Sequence, residues 1–333
     1  MKKNDSLGNQ EWFRKLYSAM LRIRMIEEEL VRRYPEQEIR CPVHFSIGQE
    51  AVAVGICQAL GQDDSVLSGH RSHAHYLAQG GSLTKMICEL YGKAAGCSGG
   101  KGGSMHLIDP SVNFLGSTSI VAGTIPVSVG VAFANKLKNS SAAVVMFFGD
   151  AATEEGLFYE SANFASLHKL PILFVCENNL YSVYSPLEVR QSPLRKNHLL
   201  AESLGIKARG GLDGNNAPSI YVEAKKALDS IYSGAGPCFL EFNTYRWLEH
   251  CGASYDNDIG YRTDAEFQDW KQRDPLENLW EKIKVQSGCD EFKETERKNF
   301  QSEVSTAINF AKEAPFPKKQ ALNEDVYASQ GKQ

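Results

Sequence analysis

Two polar residues, Asp150 and Asn179, follow two apolar runs that are separated by a helical pattern. The runs 142–148 and 171–176 are typical of buried parallel strands, and 154–168 has apolar residues at helical spacing. A right-handed crossover brings both strand ends to the same edge of one sheet, where α/β folds bind phosphorylated ligands. The sequence therefore predicts an α/β fold in which Asp150 and Asn179 converge beside a phosphate group.

The residue types at this edge favour a divalent cation. Carboxylate and amide oxygens are hard ligands that suit Mg²⁺, which keeps other positions for phosphate oxygens and water. An alternative stays open on these residues alone: Asp150 caps the following helix, and Asn178 and Asn179 form a turn.

Composition excludes several other classes of protein. The chain has 333 residues, a formal net charge of -4 and a sequence pI of about 6.1, so nothing indicates nucleic-acid binding. No stretch approaches the roughly 20 apolar residues of a membrane span, and the N-terminal residues lack the apolar segment of a secretory signal. The 8 cysteines show no metal-binding spacing and suit reduced thiols. We expect a cytoplasmic protein without nucleic-acid or membrane partners.

Helical patterns surround the central unit. Apolar residues from Trp12 to Ile26 predict a long amphipathic first helix, and Asp274 followed by Pro275 is typical of a later helix start. Further helices are predicted over 50–60, 83–91 and 124–137, and further strands over 206–209 and 237–242. We expect one domain over 1–333, with a helical N-terminal extension over 1–40 and a helical C-terminal extension and tail over 264–333.

The segment 92–103 is rich in glycine, which predicts a loop. A phosphate-binding P-loop would need Gly at position 95 and Ser or Thr after its Lys, whereas the chain has Ala95 and Gly102. No GxGxxG motif stands between a strand and a helix, so nicotinamide binding of the Rossmann type is unsupported.

Seven blocks of sequence follow one another in an order and at a spacing that match a known family. They are VHFSIGQEAVAVG at 43–55, GHRSHAHYLAQG at 69–80, GGKGGSMHL at 99–107, STSIVAGTIPVSVGVA at 117–132, GDAATEEG at 149–156, ENNLYSV at 177–183 and TYRWLEHCG at 244–252. With these blocks the chain resembles the alpha subunits of the thiamine-diphosphate-dependent decarboxylating (first) component of 2-oxo acid and acetoin dehydrogenase complexes. It departs from the GDG…NN fingerprint of thiamine-diphosphate enzymes at Ala151, where the family has Gly.

The resemblance implies the thiamine-diphosphate-binding fold, here a PP-type domain that holds the diphosphate half of the cofactor. It implies that Mg²⁺ is held by Asp150, Asn179 and the backbone carbonyl of Tyr181. It places phosphate contacts at Arg71, whose guanidinium suits directed bonds to phosphate. Other residues matched to cofactor contacts are His70, Ser119, Val121, Ala151, Ala152 and His250.

Histidines are the candidates for proton transfer, because imidazole both donates and accepts protons near neutral pH. By the resemblance, His44 and His250 lie near the reacting carbon, and His70 contacts the diphosphate or the substrate. A structural role stays open for each. Zinc binding by HRSHAH is disfavoured, because the spacing is not the helical zinc pattern and no Cys is nearby.

The resemblance implies cleavage of a pyruvate-like 2-oxo acid or acetoin, with transfer of the acyl group to a lipoyl acceptor. It also implies a beta subunit that carries the pyrimidine-binding Glu (α2β2), and a lipoyl acyltransferase as a further partner. Two alternatives stay open: a non-oxidative thiamine-diphosphate transferase or lyase, and a non-catalytic scaffold subunit. The segment 250–261 looks longer than in pyruvate-type subunits and carries Asp256 and Asp258, which leaves the substrate open. The alternative for this acidic pair is that it is only a solvated tip.

Overall fold

The computed structural model describes residues 5–285 and 287–324. Parallel strands form a six-stranded sheet at its centre, and a two-stranded antiparallel hairpin lies beside it. The strands are β1 (Ser65–Ser68), β2 (Phe114–Ser117), β3 (Val144–Gly149), β4 (Ile172–Asn178), β5 (Tyr181–Ser182), β6 (Ser185–Pro186), β7 (Lys207–Asp213) and β8 (Cys238–Asn243). Their order in the large sheet is β2-β1-β3-β4-β8-β7.

Helices cover both faces of this sheet, so the α/β fold class is confirmed. They are α1 (Asp5–Arg33), α2 (Glu50–Cys57), α3 (His73–Ala78), α4 (Leu83–Leu90), α5 (Thr124–Leu137), α6 (Gly156–Leu167), α7 (Leu187–Arg190), α8 (Asn197–Ser203), α9 (Ala217–Tyr232), α10 (Asp264–Gln272), α11 (Pro275–Ile283) and α12 (Cys289–Glu313). Within the described residues, none of them has the length and apolarity needed to cross a membrane.

Alternate side chains of the central strands enter two separate hydrophobic cores. On β3, Val145 and Phe147 pack into the larger core, whereas Val144, Met146 and Phe148 pack into the smaller one. Successive side chains of a strand point to opposite faces, so a strand buried on both faces becomes a continuous apolar run. This explains why β3 and β4 are recognisable in the sequence.

The predicted crossover is confirmed. β3 and β4 are adjacent and parallel, and their register pairs Gly149 with Glu177. Because the two strands end at the same level, Asp150 and Asn179 leave the sheet at the same edge. The helix predicted over 154–168 begins later, at Gly156, because Asp150–Glu154 first forms a 3-10 turn.

The other predicted elements are present with shifted ends, whereas several elements were missed. α5 has the predicted bounds, and β7 extends past 209 to Asp213. β1 and β2 were not predicted, because each has only four residues and serines or a glycine interrupt the apolar pattern. Residues 325–333 of the predicted C-terminal tail lie outside the described residues.

The glycine-rich segment 92–103 folds around a carboxylate of the same chain. Glu89, at the end of α4, is only 1% exposed, and its two carboxylate oxygens accept four backbone N–H groups. The donors are Ser98, Gly100, Gly102 and Gly103, at 2.7 to 3.0 Å. A side chain at Gly96 would place its Cβ only 2.2 Å from Glu89 Oε2. The amides that could cradle a phosphate therefore already bind an anion.

We predict that Glu89→Ala lowers the free energy of unfolding by about 3 kcal/mol, because buried N–H groups lose a charged acceptor. Urea denaturation measures this change. Glu294→Ala, an exposed position on α12, is the matched control and should change stability little. Equal stability of the two variants would show that the carboxylate does not organise the loop.

Candidate active site

A cavity of about 180 Å³ opens at the carboxyl ends of β1, β3 and β4. Every site residue predicted from the sequence lines it. These residues are His44, His70, Arg71, Ser119, Val121, Asp150, Ala151, Ala152, Asn179, Tyr181 and His250. The individual roles of these residues remain predictions, but their convergence from distant parts of the chain is a finding.

Asp150 and Asn179 occupy one wall of the cavity, and both are buried. The Oδ1 atom of Asn179 accepts the N–H of Tyr181 at 3.2 Å, and its Nδ2 atom donates to Gln49 Oε1 at 3.4 Å. Asn178 Oδ1 likewise accepts the N–H of Leu180, at 3.1 Å. The asparagines therefore do form a turn, and that turn carries Asn179 into the cavity wall.

Asp150 does not cap α6, so that alternative is wrong. The residue before the first turn of α6 is Glu155, and no side chain caps the helix there. The Oδ2 atom of Asp150 instead accepts a hydrogen bond from Nη2 of Arg190 at 2.5 Å. Burial raises the pKa of Asp150, and the positive charge of Arg190 opposes this rise. Arg190 was not predicted for the site.

A buried carboxylate behind the cavity wall joins the two loops that carry Asp150 and Asn179. Glu241 on β8 accepts hydrogen bonds from Asn178 Nδ2 and Asn197 Nδ2, each at 2.9 Å. Asn197 Oδ1 in turn accepts Thr153 Oγ1 at 3.0 Å. The network holds the 3-10 turn and the asparagine turn in a fixed relation. Sequence reasoning missed it because Glu241 lies in an apolar strand pattern.

Arg71 places a cation in the lining of the cavity. Its Nη1 atom donates to the carbonyl of Phe45 at 2.5 Å, and its Nη2 atom donates to the carbonyl of His250 at 3.1 Å. Burial, and then the charge of Arg246, lower the pKa of Arg71 to about 10, so it stays positive at neutral pH. A positive group held by two carbonyls suits an anion in the cavity.

Three histidines from separate loops meet beside Arg71. The ring centroid of His44 lies 4.7 Å from that of His70 and 4.8 Å from that of His250. Burial, and then the charge of Arg71, lower the pKa of His70 to about 4 and that of His250 to about 3. The same two causes lower the pKa of His44. All three imidazoles are therefore neutral at pH 7.

The other histidines of HRSHAH have partners of their own and do not join the cluster around His70, which argues against zinc binding by that motif. His73 contacts Glu27 Oε1 at 3.1 Å and Ser104 Oγ at 2.8 Å, deep in the core. His75 contacts Ser68 Oγ at 2.8 Å and Glu177 Oε2 at 3.1 Å.

The cluster of His44, His70 and His250 has ring nitrogens within 4.8 Å of one another, but the adjacent cation of Arg71 disfavours a divalent ion there.

The loop after His250 is fixed by a buried ion-pair group. Asp256 is only 4% exposed; it pairs with Arg262 and lies 3.5 Å from Arg246. Asp258 is exposed, so the alternative of a solvated tip is right for Asp258 and wrong for Asp256. The carboxylate of Asp256 therefore holds the loop through these two arginines and does not face the solvent.

Comparisons with known proteins agree on one family. The family model described as the dehydrogenase E1 component matches residues 18–320. The alpha subunit of acetoin:2,6-dichlorophenolindophenol oxidoreductase from Bacillus subtilis is 32% identical over 94% of this chain and 93% of that protein. The alpha subunit of the pyruvate dehydrogenase E1 component from Zymomonas mobilis is 36% identical over 97% of this chain and 89% of that protein.

One solved structure is a weaker match. It is a putative thiamin diphosphate-dependent enzyme from Mycobacterium smegmatis, with 17% sequence identity and a TM-score of 0.42 over 62% of this chain and 34% of that chain. At this level of similarity it supports no conclusion about the fold or the site.

We predict that the free energy of unfolding falls as the pH is lowered from about 6.5, the ordinary pKa of histidine, towards 4. The unfolded chain takes up protons in this range, whereas the native imidazoles of the cluster stay neutral. Each such histidine contributes up to about 1.4 kcal/mol per pH unit. Urea denaturation at several pH values measures the slope.

His44→Gln should make this slope shallower, because one depressed group is removed. His168→Gln, at the far end of α6, is the matched substitution outside the cluster and should leave the slope unchanged. Identical slopes for the two variants would contradict a neutral, buried cluster.

Proposed function

Because this chain belongs to the family of dehydrogenase E1 components, we propose that it is the alpha subunit of a thiamine-diphosphate-dependent dehydrogenase. The proposed substrate is a pyruvate-like 2-oxo acid or acetoin, and the acyl group passes to a lipoyl acceptor. The observation that carries this proposal is the convergence of an acid–amide pair, a cation and neutral histidines in one cavity. The two relatives described above, one an acetoin oxidoreductase subunit and the other a pyruvate dehydrogenase subunit, support the substrate classes.

The residues of the cavity fit a metal–diphosphate group. Asp150, Asn179 and the carbonyl of Tyr181 offer hard oxygen donors, and we propose that they hold Mg²⁺. Ala151 and Ala152 have small side chains that let the backbone approach the diphosphate. Arg71, in the same cavity, balances the charge of the phosphate oxygens.

Thiamine diphosphate, when bound, supplies the electron sink for cleavage of a carbon–carbon bond beside a carbonyl. The chain positions it and handles protons. Nδ1 of His44 is buried and has no hydrogen-bond partner within the described residues, so it is free to form a hydrogen bond with a bound group. His250 lies beside it, and His70 completes the wall that faces the diphosphate or the substrate.

Apolar side chains at the mouth of the cavity support a beta-subunit partner. Ile120 is 64% exposed, Val121 is 43% exposed, and Val127 on the adjacent α5 is 54% exposed. Exposed apolar patches of this kind mark protein interfaces. We propose that a beta subunit covers this mouth, supplies the Glu for the pyrimidine end of the cofactor and forms a heterotetramer with two copies of each chain. A lipoyl acyltransferase is the proposed further partner.

The cysteines support a cytoplasmic location, which is part of the proposal. All of them are free thiols, and several are buried. Free thiols persist in reducing compartments, whereas oxidising compartments favour disulfides.

We predict that Asp150→Ala abolishes binding of thiamine diphosphate, because the metal that screens the diphosphate loses its carboxylate ligand. Titration calorimetry on the assembled enzyme, with Mg²⁺ or with a chelator, measures this. Asp258→Ala, at an exposed position of the loop after His250, is the matched control. Unchanged affinity in the chelator, or in the Asp150 variant, would refute the metal–diphosphate site.

We also predict that the chain is inactive alone and active with its beta subunit. Cleavage of acetoin and of a series of 2-oxo acids is measured by reduction of an artificial electron-accepting dye, with and without the candidate beta chain. The accepted compound identifies the substrate class. Turnover by this chain alone would contradict the heteromeric assembly, and cleavage only with an aldehyde acceptor would favour the non-oxidative transferase.

A further inference from the structure

Arg190 links the two acids of the 3-10 turn below β3. Its Nη2 atom lies 2.5 Å from Asp150 Oδ2, and its Nη1 atom lies 2.5 Å from Glu154 Oε1. The side chain of Arg190 is 10% exposed and that of Asp150 is 2% exposed, so this pairing is largely shielded from water. Gln191, the next residue, donates to the same oxygen of Glu154 at 2.7 Å.

The pairing uses only one oxygen of Asp150. Within the described residues, no other side chain donates a hydrogen bond to this carboxylate. A carboxylate has acceptor sites on both oxygens, so Oδ1 stays free for a metal while Oδ2 is held. Partners of this kind fix the direction of a ligand and typically change metal affinity by 10–100-fold when they are removed.

The chain between Asn179 and Arg190 forms a loop that begins and ends at the cavity. Tyr181, whose carbonyl is the proposed third metal ligand, stands on β5, and the hairpin pairs it with Pro186 on β6. α7 then follows directly and ends at Arg190. The hydrogen bond from Arg190 to Asp150 therefore joins the two ends of the chain segment 150–190, which contains all three proposed metal ligands.

Tyr181 anchors the start of this segment in the core, but the residues after it bury little apolar surface. Tyr184 is 49% exposed, Val189 is 70% exposed and Leu194 is 89% exposed. The short hairpin and the polar contacts of Arg190 and Gln191 are therefore important attachments of the segment to the rest of the protein. Segments with few buried contacts open with low free energy, so loss of one polar attachment changes their order measurably.

We propose that Arg190 is a positioning residue for the metal site: it directs Asp150 towards the cation and couples occupancy of the site to the order of segment 181–194. The coupling is reciprocal, because a ligand that favours the closed segment is itself bound more tightly when the segment is closed. The inference rests on the proposed function, since it requires that Asp150 binds a metal with thiamine diphosphate.

The first test is the affinity of the assembled enzyme for Mg²⁺ at saturating thiamine diphosphate, measured by titration calorimetry. Arg190→Gln should weaken Mg²⁺ binding by about 10–100-fold. Arg190→Lys keeps the charge but not the fork that reaches two carboxylates, so its loss should be smaller. Arg209→Gln, which breaks a more exposed pair with Glu223, is the matched control and should bind as the wild type does.

The second test is digestion of the same proteins by chymotrypsin, which cleaves after Tyr184 and Leu194 and does not depend on Arg190. Mg²⁺ and thiamine diphosphate together should slow cleavage of segment 181–194 in the wild type and in the Arg209 variant. In Arg190→Gln the protection should be largely lost, even at Mg²⁺ concentrations that saturate the site. This readout does not involve turnover.

The outcomes separate this inference from the proposed function. Equal or tighter Mg²⁺ binding by both Arg190 variants, with protection unchanged, would overturn the positioning role and show that the arginine only competes with the metal. If Arg190→Gln does not fold, the Mg²⁺ affinity of Arg190→Lys alone tests the positioning role, and an affinity equal to or higher than that of the wild type overturns it. Failure of the wild type to bind Mg²⁺ with thiamine diphosphate would instead refute the proposed function.

Discussion

The parallel pairing of β3 with β4 is the constraint on which the rest of the site depends. Its register places Gly149 beside Glu177, so the polar residues that follow each strand begin at the same height above the sheet. A shift of this register by one residue would also move each side chain of the shifted strand from one core to the other. The same apolar contacts that stabilise the sheet therefore set the distance between the acid and the amide.

Charge divides the cavity into two sides. Asp150 and Glu154 share one guanidinium beside β3, whereas burial, and then the charge of Arg71, lower the pKa of three imidazoles and keep them neutral. A neutral imidazole near a fixed cation accepts a proton only when a negative charge develops nearby. The arrangement confines proton acceptance by these imidazoles to moments when an anion is present.

Much of this site was accessible from the sequence, because strands buried on both faces and the polar residues after them leave a local pattern. Asp150 and Asn179 were found in this way, together with α5, β3 and β4, whereas Arg71, Ser119, Val121 and the three histidines were found only through the resemblance to a known family. β1 and β2 were missed because short strands with serines have no periodicity to detect. Arg190 and Glu241 were missed for a different reason. Their partners Asp150 and Asn178 are distant in sequence, and Glu241 also lies within an apolar strand pattern, so only the folded chain shows these contacts.

The carboxylate of Glu89 inside the glycine-rich loop has a consequence for how the chain responds to its surroundings. An anion attached to the same polypeptide has an effective concentration on the order of millimolar or higher at its own amides. Free phosphate or nucleotide must exceed that local concentration before it displaces the side chain. The shape of the loop is therefore independent of the phosphate level in solution, and a neighbouring segment can pack against it as against any rigid surface.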